Sequence, residues 1–294
     1  MIKSIDAYLD LLKAELAGSD RATIQDALAD AEEHLRSALD SALEAGASKE
    51  EALPPIIEEY GSPGEIATAY KEIESLIRPA LAQPEHVNGR SYIARFFGVL
   101  ADPRAWGALL YMIFSLITGI LYFTWAVTGL SLALGLMILI IGVPFAVLFL
   151  LSVQGIGLVE GRIVEALLGV RMPRRSAFFS KELASWEQLK ALVVGRRTWS
   201  SLVYMLIQLP LGILYFTVFI TLIATALSFV LSPLLGPVFD QPVIDLGDEV
   251  YHISFWFTPV LSLGGMMLMT ATMHLARYAG RAHGALAKVM LVRD

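Results

Sequence analysis

The sequence has no cysteine, and it has no charged side chain over three long stretches. Without cysteine the chain forms no disulfide, no haem thioether link and no thiolate metal site. Asp, Glu, Lys, Arg and His are all missing from residues 107–159, 198–239 and 253–273. One bilayer crossing needs roughly 20 apolar residues. The first two stretches therefore have room for two crossings, or for one with a long apolar flank, and the third fits one. These runs predict an integral membrane protein.

The charge that the chain does carry is divided unevenly. Residues 1–86 hold 18 acidic side chains against 7 lysines and arginines, a net charge of −11. The remaining residues hold 10 acids and 15 bases, a net charge of +5. The N-terminus lacks the apolar core of a cleavable signal peptide, so we expect none. The pattern predicts an acidic soluble head in front of a basic membrane part.

Residues 1–85 are predicted to form that head as a compact helical domain. Apolar residues recur at helical spacing, and start and stop signals divide the region into four helices. Asp20 is the predicted N-cap of the second helix, and Gly46 is its predicted end. Residues 48–51 and 62–65 have the spacing of capping boxes, which would open the third and fourth helices.

Several elements of the head follow one another in a familiar order. They are Tyr8-Leu9, Arg21, Asp30-Ala31-Glu32-Glu33-His34-Leu35, Gly46 with Ser48, and Tyr60-Gly61-Ser62-Pro63 with Ile66-Ala67. This order resembles the HAAS domain, a helical signalling domain, although Gly-Ser-Asp stands where a proline usually precedes Arg21. The resemblance implies a cytoplasmic adaptor that couples membrane proteins to transcriptional control, often beside PadR-type regulators.

Acidic residues of the second helix form the candidate docking site for such a partner. The set is Asp30, Glu32, Glu33, His34 and Glu44. A surface of one charge sign attracts a partner of the opposite sign, and the alternative is a solvated polar face without a partner. We expect no metal here, because one His and carboxylates from a single helix leave a zinc site incomplete.

The membrane part contains an internal repeat with a constant offset of 93 residues. Trp106 recurs as Trp199, and residues 119–124, GILYFT, recur without change as residues 212–217. Towards their ends the two copies correspond at an offset of 119, because the second copy has 26 extra residues, which we place around the acidic loop at 232–255. Such self-similarity indicates two copies of one structural unit.

Each copy is predicted to be a pair of spanning helices. After a linker at 86–105, the predicted spans are 107–129, 132–154, 202–230 and 256–276. The predicted fold class is thus all-α, with a polytopic membrane domain over 106–294. A very short turn near Gly129-Leu130-Ser131 is expected to join the first pair. Because each copy crosses twice, the copies are parallel repeats, related by a pseudo-two-fold axis along the membrane normal.

Lysine and arginine determine the predicted orientation. They fill the loop at 156–198 and flank the outermost spans, whereas the loop at 232–255 has neither. We therefore expect both termini and the central loop on the cytoplasmic side of a bacterial inner membrane, with the acidic loop outside. Apolar residues between Leu183 and Val193 predict a helix lying on the inner leaflet.

A second set of elements runs through both copies. It includes Gly119-Ile120-Leu121-Tyr122-Phe123, Thr128-Gly129-Leu130-Ser131-Leu132, Ile141-Gly142-Val143-Pro144 and Pro210-Leu211-Gly212-Ile213. The set resembles the "putative sensor" membrane domain of bacterial sensor proteins, some of them histidine kinases, over about residues 95–294. Because no kinase module follows in this sequence, the head is the expected output.

We find no catalytic constellation in the sequence, and we expect neither an enzyme nor a cofactor. His274 is the one ionisable candidate inside a predicted span, and a structural, hydrogen-bonded histidine is the favoured interpretation. Gly119 and Gly212 favour close helix contact over ligand binding. The candidate signal-input site, for which a solvated loop is the alternative, is the outer loop. Its residues are Asp240, Asp245, Asp248, Glu249 and His252.

Taken together, the patterns favour a membrane-embedded sensor or signalling adaptor. It would relay an envelope or lipid-phase signal to a cytoplasmic protein, expected to be a transcriptional regulator, with PadR-type regulators among the candidates. The alternatives are a non-catalytic accessory or scaffold subunit of a larger membrane complex and, less favoured, a lipid or small-molecule transporter. The expected partners are the lipid bilayer and a cytoplasmic protein, without direct contact to nucleic acid, and a homo-oligomer stays open.

Overall fold

The structure of the chain is a computed structural model. It describes residues 2, 4–76, 81, 92–138, 142–173, 193, 195–239, 244–245, 250–251 and 257–292. Contacts divide the residues into two compact units. The first unit comprises Met1–Ala82, Ala126–Tyr204 and Ala285–Asp294, and the second comprises Gln83–Trp125 and Met205–Gly284.

The head, in the first unit, consists of helices at the four predicted places. They are α1 Ile5–Glu15, α2 Arg21–Glu44, α3 Lys49–Tyr60 and α4 Pro63–Leu76. α1 packs on α2 and α4, and α2 packs on α3. The core is built from the predicted apolar stripes. Tyr8 and Leu12 of α1, Leu16 directly after α1, and Leu35 of α2 are fully buried.

Local signals place the ends of these helices. The Ala22 N–H donates to Asp20 Oδ1 at 2.9 Å, which confirms the predicted N-cap of α2. Gly46 has a φ of 90°, a left-handed conformation that suits glycine and ends the helix. Where α4 begins, the Ser62 N–H donates to Glu65 Oε2 at 2.9 Å and the Glu65 N–H donates to Ser62 Oγ at 3.4 Å. This reciprocal pair is the predicted capping box.

The other predicted capping box has the right place but a different bond. α3 begins at Lys49, as expected, yet the Ser48 hydroxyl donates to Glu51 Oε2 at 2.9 Å instead of accepting a backbone N–H. At the start of α4 the Ser62 N–H and the Ser62 hydroxyl both donate to Glu65 Oε2, at 2.9 Å and 2.7 Å. These two hydrogen bonds lower the pKa of Glu65.

Tyr8 joins the start of the head to the turn between α3 and α4. Its hydroxyl donates to the Gly61 carbonyl at 2.8 Å, and its ring meets that of Tyr60 edge-on with centroids 6.0 Å apart. Burial, and secondly the negative charge of Glu65, raise the pKa of Tyr8 to about 12. The phenol is therefore neutral, and it remains a hydrogen-bond donor, at neutral pH.

The two serines allow a matched test of helix capping. We expect Ser62→Ala to weaken the first turn of α4 by about 1 kcal/mol, since it removes an N-cap side chain. Ser48→Ala removes no backbone cap and is expected to cost less. Amide hydrogen exchange of the full chain in detergent, read over the first turns of α3 and α4, measures both. Equal effects of the two substitutions would contradict the difference between the caps.

Four long helices follow the head. A short helix, α5 Tyr92–Phe97, and a 3₁₀ turn, Gly98–Ala101, lie in the predicted linker. The long helices are α6 Pro103–Leu136, α7 Gly142–Leu168, α8 Arg196–Phe239 and α9 Thr258–Leu291. Each includes a segment long and apolar enough to cross a membrane, with mean hydropathy between 1.3 and 2.3. This confirms the four predicted membrane helices.

The helices extend beyond the predicted spans. α6 has 34 residues, which corresponds to about 51 Å at 1.5 Å per residue, against a hydrocarbon core of about 30 Å. α7 continues to Leu168 and α9 to Leu291. The charged residues that follow the apolar runs therefore end the predicted spans without ending the helices.

The turn predicted near Gly129-Leu130-Ser131 is wrong. α6 passes through these residues without a break and ends at Leu136. Gly129 has a packing role instead, because a Cβ built on it would lie 2.0 Å from Phe149 Cε2. The glycine thus allows a phenylalanine of α7 to lie against α6, and the connection between the two helices comes later.

Two short strands are the described part of the predicted outer loop beyond α8. β1 Ile244–Asp245 and β2 Val250–Tyr251 pair antiparallel, with Ile244 opposite Tyr251. They form a small exception to the predicted all-α class.

Candidate functional site

Two glycines bring α6 and α8 into backbone contact within the second unit. A Cβ on Gly119 would lie 2.7 Å from the Gln208 carbonyl oxygen, and a Cβ on Gly212 would lie 2.5 Å from the Ser115 carbonyl oxygen. Both pairs of residues are 93 apart in the corresponding copies of the repeat. The predicted close contact at Gly119 and Gly212 is therefore confirmed, and we call it the glycine crossing.

A cluster of buried polar side chains lies beside the glycine crossing. Tyr111 of α6 shares a hydrogen bond of 2.7 Å with His283 Nε2 of α9. Gln208 Nε2 of α8 donates to the Tyr111 hydroxyl at 3.3 Å and to Thr118 Oγ1 at 3.5 Å. All four side chains are at most 4% exposed. This Tyr111 cluster therefore joins three membrane helices through hydrogen bonds.

The repeat partner of Tyr111 makes a comparable contact in the first unit. Tyr204 of α8 donates its hydroxyl proton to Glu160 Oε1 of α7 at 2.9 Å, and both side chains are buried. Each of the two repeated tyrosines thus contacts a buried polar side chain, on α9 for Tyr111 and on α7 for Tyr204. The groups differ, with a carboxylate in one place and an imidazole in the other.

The repeated tryptophans also have equivalent partners. Trp106 Nε1 donates to the Leu100 carbonyl at 2.8 Å, and Trp199 Nε1 donates to the Val193 carbonyl at 2.9 Å. Each acceptor lies six residues before its tryptophan. Half of each ring surface stays exposed, as suits a side chain at the membrane boundary.

Sequence reasoning missed Glu160 and His283. Both lie beyond the predicted spans 132–154 and 256–276, where the hydropathy pattern gives no reason to expect a buried polar side chain. His274 is still the one charged or imidazole side chain within the predicted spans, and the buried Glu160 and His283 lie on the same apolar helices beyond those spans. The repeat offered a signal, because Tyr111 and Tyr204 occupy equivalent positions. His274 itself has the expected structural role, with Nε2 3.1 Å from the Phe96 carbonyl oxygen.

The candidate docking residues of the head do not form one uniform acidic surface. Asp30 Oδ2 accepts a hydrogen bond from the Tyr70 hydroxyl at 3.0 Å, and Glu32 pairs with Arg36 at 2.8 Å. The His34 ring lies against the Tyr60 ring, with centroids 4.7 Å apart. Glu33 and Glu44 are exposed. The docking role of these five residues stays a prediction.

The candidate input residues fall mostly outside the described part of the chain. Asp240, Asp248, Glu249 and His252 lie outside it, and Asp245 is described only as a backbone position in β1. Of the predicted helix between Leu183 and Val193, only Val193 belongs to the described residues. Among the described residues, no group of three or more His, Asp or Glu side chains is placed to hold a metal ion.

An ion pair joins the head to the last membrane helix within the first unit. Lys288 Nζ of α9 donates to Asp20 Oδ2. The same carboxylate caps α2 through Oδ1, and the Asp20 N–H donates to Glu74 Oε1 at 3.0 Å. We call this contact the Asp20–Lys288 link. It connects the N-terminus of α2 to the end of α9.

These features define an α-helical membrane protein with four apolar helices and a helical head. A sequence model of the family described as "Putative sensor" matches residues 111–291, and a model of the HAAS domain matches residues 7–69. The chain therefore belongs to the "Putative sensor" family and carries a HAAS domain in front, which confirms both resemblances and fits a membrane sensor or signalling role. No curated protein and no solved structure matches the chain.

The glycine crossing allows a test with a control on the same helix. We expect Gly119→Ala and Gly212→Ala each to destabilise the membrane domain by about 1–3 kcal/mol, because the new Cβ meets backbone that cannot move aside. At Gly135 of α6 a Cβ would meet no described atom within 4 Å. Gly135→Ala should therefore be neutral or slightly stabilising. Thermal unfolding in detergent compares the three variants, and equal midpoints would contradict the crossing.

The buried tyrosines allow a second test. Tyr204→Phe deprives the buried Glu160 of a donor, and Tyr111→Phe interrupts the Tyr111 cluster, so each should cost about 1–3 kcal/mol. Tyr278→Phe, on a ring that is 71% exposed, is the control and should change little. The same unfolding measurement decides. A loss for Tyr278→Phe as large as for the buried pair would show that the buried hydroxyls contribute nothing specific.

Proposed function

We propose that this protein is a non-catalytic membrane signalling adaptor, which relays an envelope or lipid-phase signal to a cytoplasmic protein, with a transcriptional regulator as the expected partner. The observation that carries the proposal is the Asp20–Lys288 link. It is a direct contact between a membrane helix and the soluble domain, as a relay requires.

The link suits a relay because Asp20 has two roles. One oxygen of its carboxylate caps α2, and the other accepts from Lys288. A shift at the end of α9 therefore acts on the first turn of the helix that runs through the head. Lys288 lies five residues beyond His283, so the helix that carries the link also carries a member of the Tyr111 cluster.

The proposed membrane arrangement is two parallel helix-pair repeats, α6–α7 and α8–α9, about a pseudo-two-fold axis. Three equivalences support it: the glycine crossing, the tryptophan hydrogen bonds, and the exchange in which Tyr111 reaches α9 while Tyr204 reaches α7. The distribution of lysine and arginine supports cytoplasmic termini in a bacterial inner membrane.

Affinity capture of the full-length chain from cross-linked membranes tests the function. Recovery of a DNA-binding regulator, in amounts that fall when the head is removed, supports the adaptor. Stable co-purification with a membrane enzyme or transporter, without such a regulator, would instead support an accessory subunit and reject the relay.

A double-mutant cycle tests the Asp20–Lys288 link. Asp20→Asn keeps a good N-cap but removes the charge, and Lys288→Gln removes the other partner. A partly exposed pair is worth up to about 1 kcal/mol, so each change should speed amide exchange in the first turn of α2 up to about fivefold. The double variant should add little to either single change. Lys49→Gln, an exposed lysine of α3, is the control, and additive effects would contradict a direct link.

A further inference from the structure

A groove in the head lies along the line where α1 packs on α2. Its volume is about 290 Å³. Six of its lining residues are either apolar or acidic, three of each kind: Leu9, Ile24 and Leu28, and Asp6, Asp10 and Glu32. We call this feature the α1–α2 groove.

The groove combines an apolar floor with charged edges. Leu9, Ile24 and Leu28 are half-buried, so they keep apolar surface in contact with solvent although each also packs on the core of the head. Asp6 and Asp10 are exposed one turn apart on α1. A partner in the α1–α2 groove would therefore meet apolar side chains on the floor and charged side chains along the edges.

The charge along the groove is negative. The lining has three carboxylates and one cation, Lys13, and Glu32 is also paired with Arg36 beside the groove. The region that contains the head has a net charge of −11. Carboxylates at the rim attract positively charged partners and repel negatively charged ones. An acidic peptide or an anionic lipid surface is therefore disfavoured as the occupant.

The lining favours a protein segment over a small molecule. Small-molecule sites are enclosed and mostly apolar, whereas five of the eight side chains that line this groove are polar or charged. On α1 the lining runs from Asp6 to Lys13, which corresponds to about 12 Å of helix. About two turns of a partner helix have this length, and an amphipathic helix in a groove is a common mode of recognition.

We infer that the α1–α2 groove binds a basic amphipathic helix of the cytoplasmic partner, with apolar side chains on Leu9, Ile24 and Leu28 and lysines or arginines beside Asp6, Asp10 and Glu32. The inference rests on the proposed function, because it names the chemistry of the same partner. It moves the docking surface from the exposed face of α2 to the α1–α2 groove, with Glu32 common to both.

The experiment uses full-length protein in nanodiscs of phosphatidylcholine, which carry no net charge and so limit binding of peptide to lipid. The probe is a 14-residue labelled peptide with leucine at helical spacing, lysine elsewhere and one photoreactive residue on the leucine face. A scrambled peptide of the same composition and a peptide with glutamate for lysine are the comparisons, and empty nanodiscs give the background.

Two protein variants with equal change in charge separate the groove from general attraction. The groove variant is Asp6→Asn, Asp10→Asn and Glu32→Gln. The control is Asp40→Asn, Glu44→Gln and Glu58→Gln, all on exposed residues of α2 and α3. We expect the groove variant to bind the basic peptide about tenfold more weakly and the control to lose less than threefold. Photo-cross-links should map to Leu9, Ile24 or Leu28.

Equal losses in both variants, or equal binding of the scrambled peptide, would overturn the groove, since either result means that charge alone attracts the peptide. A larger loss of peptide affinity in the control variant would indicate that the peptide binds the exposed face of α2 instead of the groove. The results that would reject the groove differ from those that would reject the proposed function. Capture of a regulator without peptide binding rejects the groove alone, whereas peptide binding together with capture of only a membrane enzyme rejects the relay.

Discussion

The glycine crossing is the contact on which the polar chemistry of the membrane helices depends. Helices in lipid gain little from the hydrophobic effect when they meet, so close packing and hydrogen bonds hold them together. Gly119 and Gly212 let the backbones of α6 and α8 touch, and this closeness puts Gln208 within reach of Tyr111 and Thr118. With a larger residue at either glycine, the helices would separate and the polar side chains would lose their partners.

The two copies of the repeat agree closely in their backbone contacts, but their equivalent tyrosines have different side-chain partners. Tyr111 and Tyr204 are equivalent, and each is buried, yet one meets His283 and the other meets Glu160. The two groups differ in hydrogen bonding, because an imidazole can donate as well as accept, whereas an ionised carboxylate only accepts. The repeated tyrosines therefore have chemically different partners.

Local chemistry explains what could be predicted from the sequence. The caps at Asp20 and Ser62 depend on neighbouring residues alone, and the four membrane helices depend on runs of apolar residues, so both were predictable. A hydropathy pattern shows where apolar residues end and not where a helix ends, so it did not single out Glu160 and His283, which lie beyond the predicted spans. Gly129 looked like a turn because its actual role, contact with Phe149, joins positions 20 residues apart.

The Asp20–Lys288 link and the α1–α2 groove act on the same helix in the proposed relay. The link holds the start of α2, and Ile24, Leu28 and Glu32 follow along that helix into the groove. If release of the link alters the groove, a partner in the groove must alter the link by the same free energy, because coupling between two sites is reciprocal. A partly exposed ion pair is worth at most about 1 kcal/mol, so a modest shift of α9 is enough to break it, and the partner's affinity would change at most about fivefold. Such a relay changes the fraction of bound partner gradually and does not switch binding fully on or off.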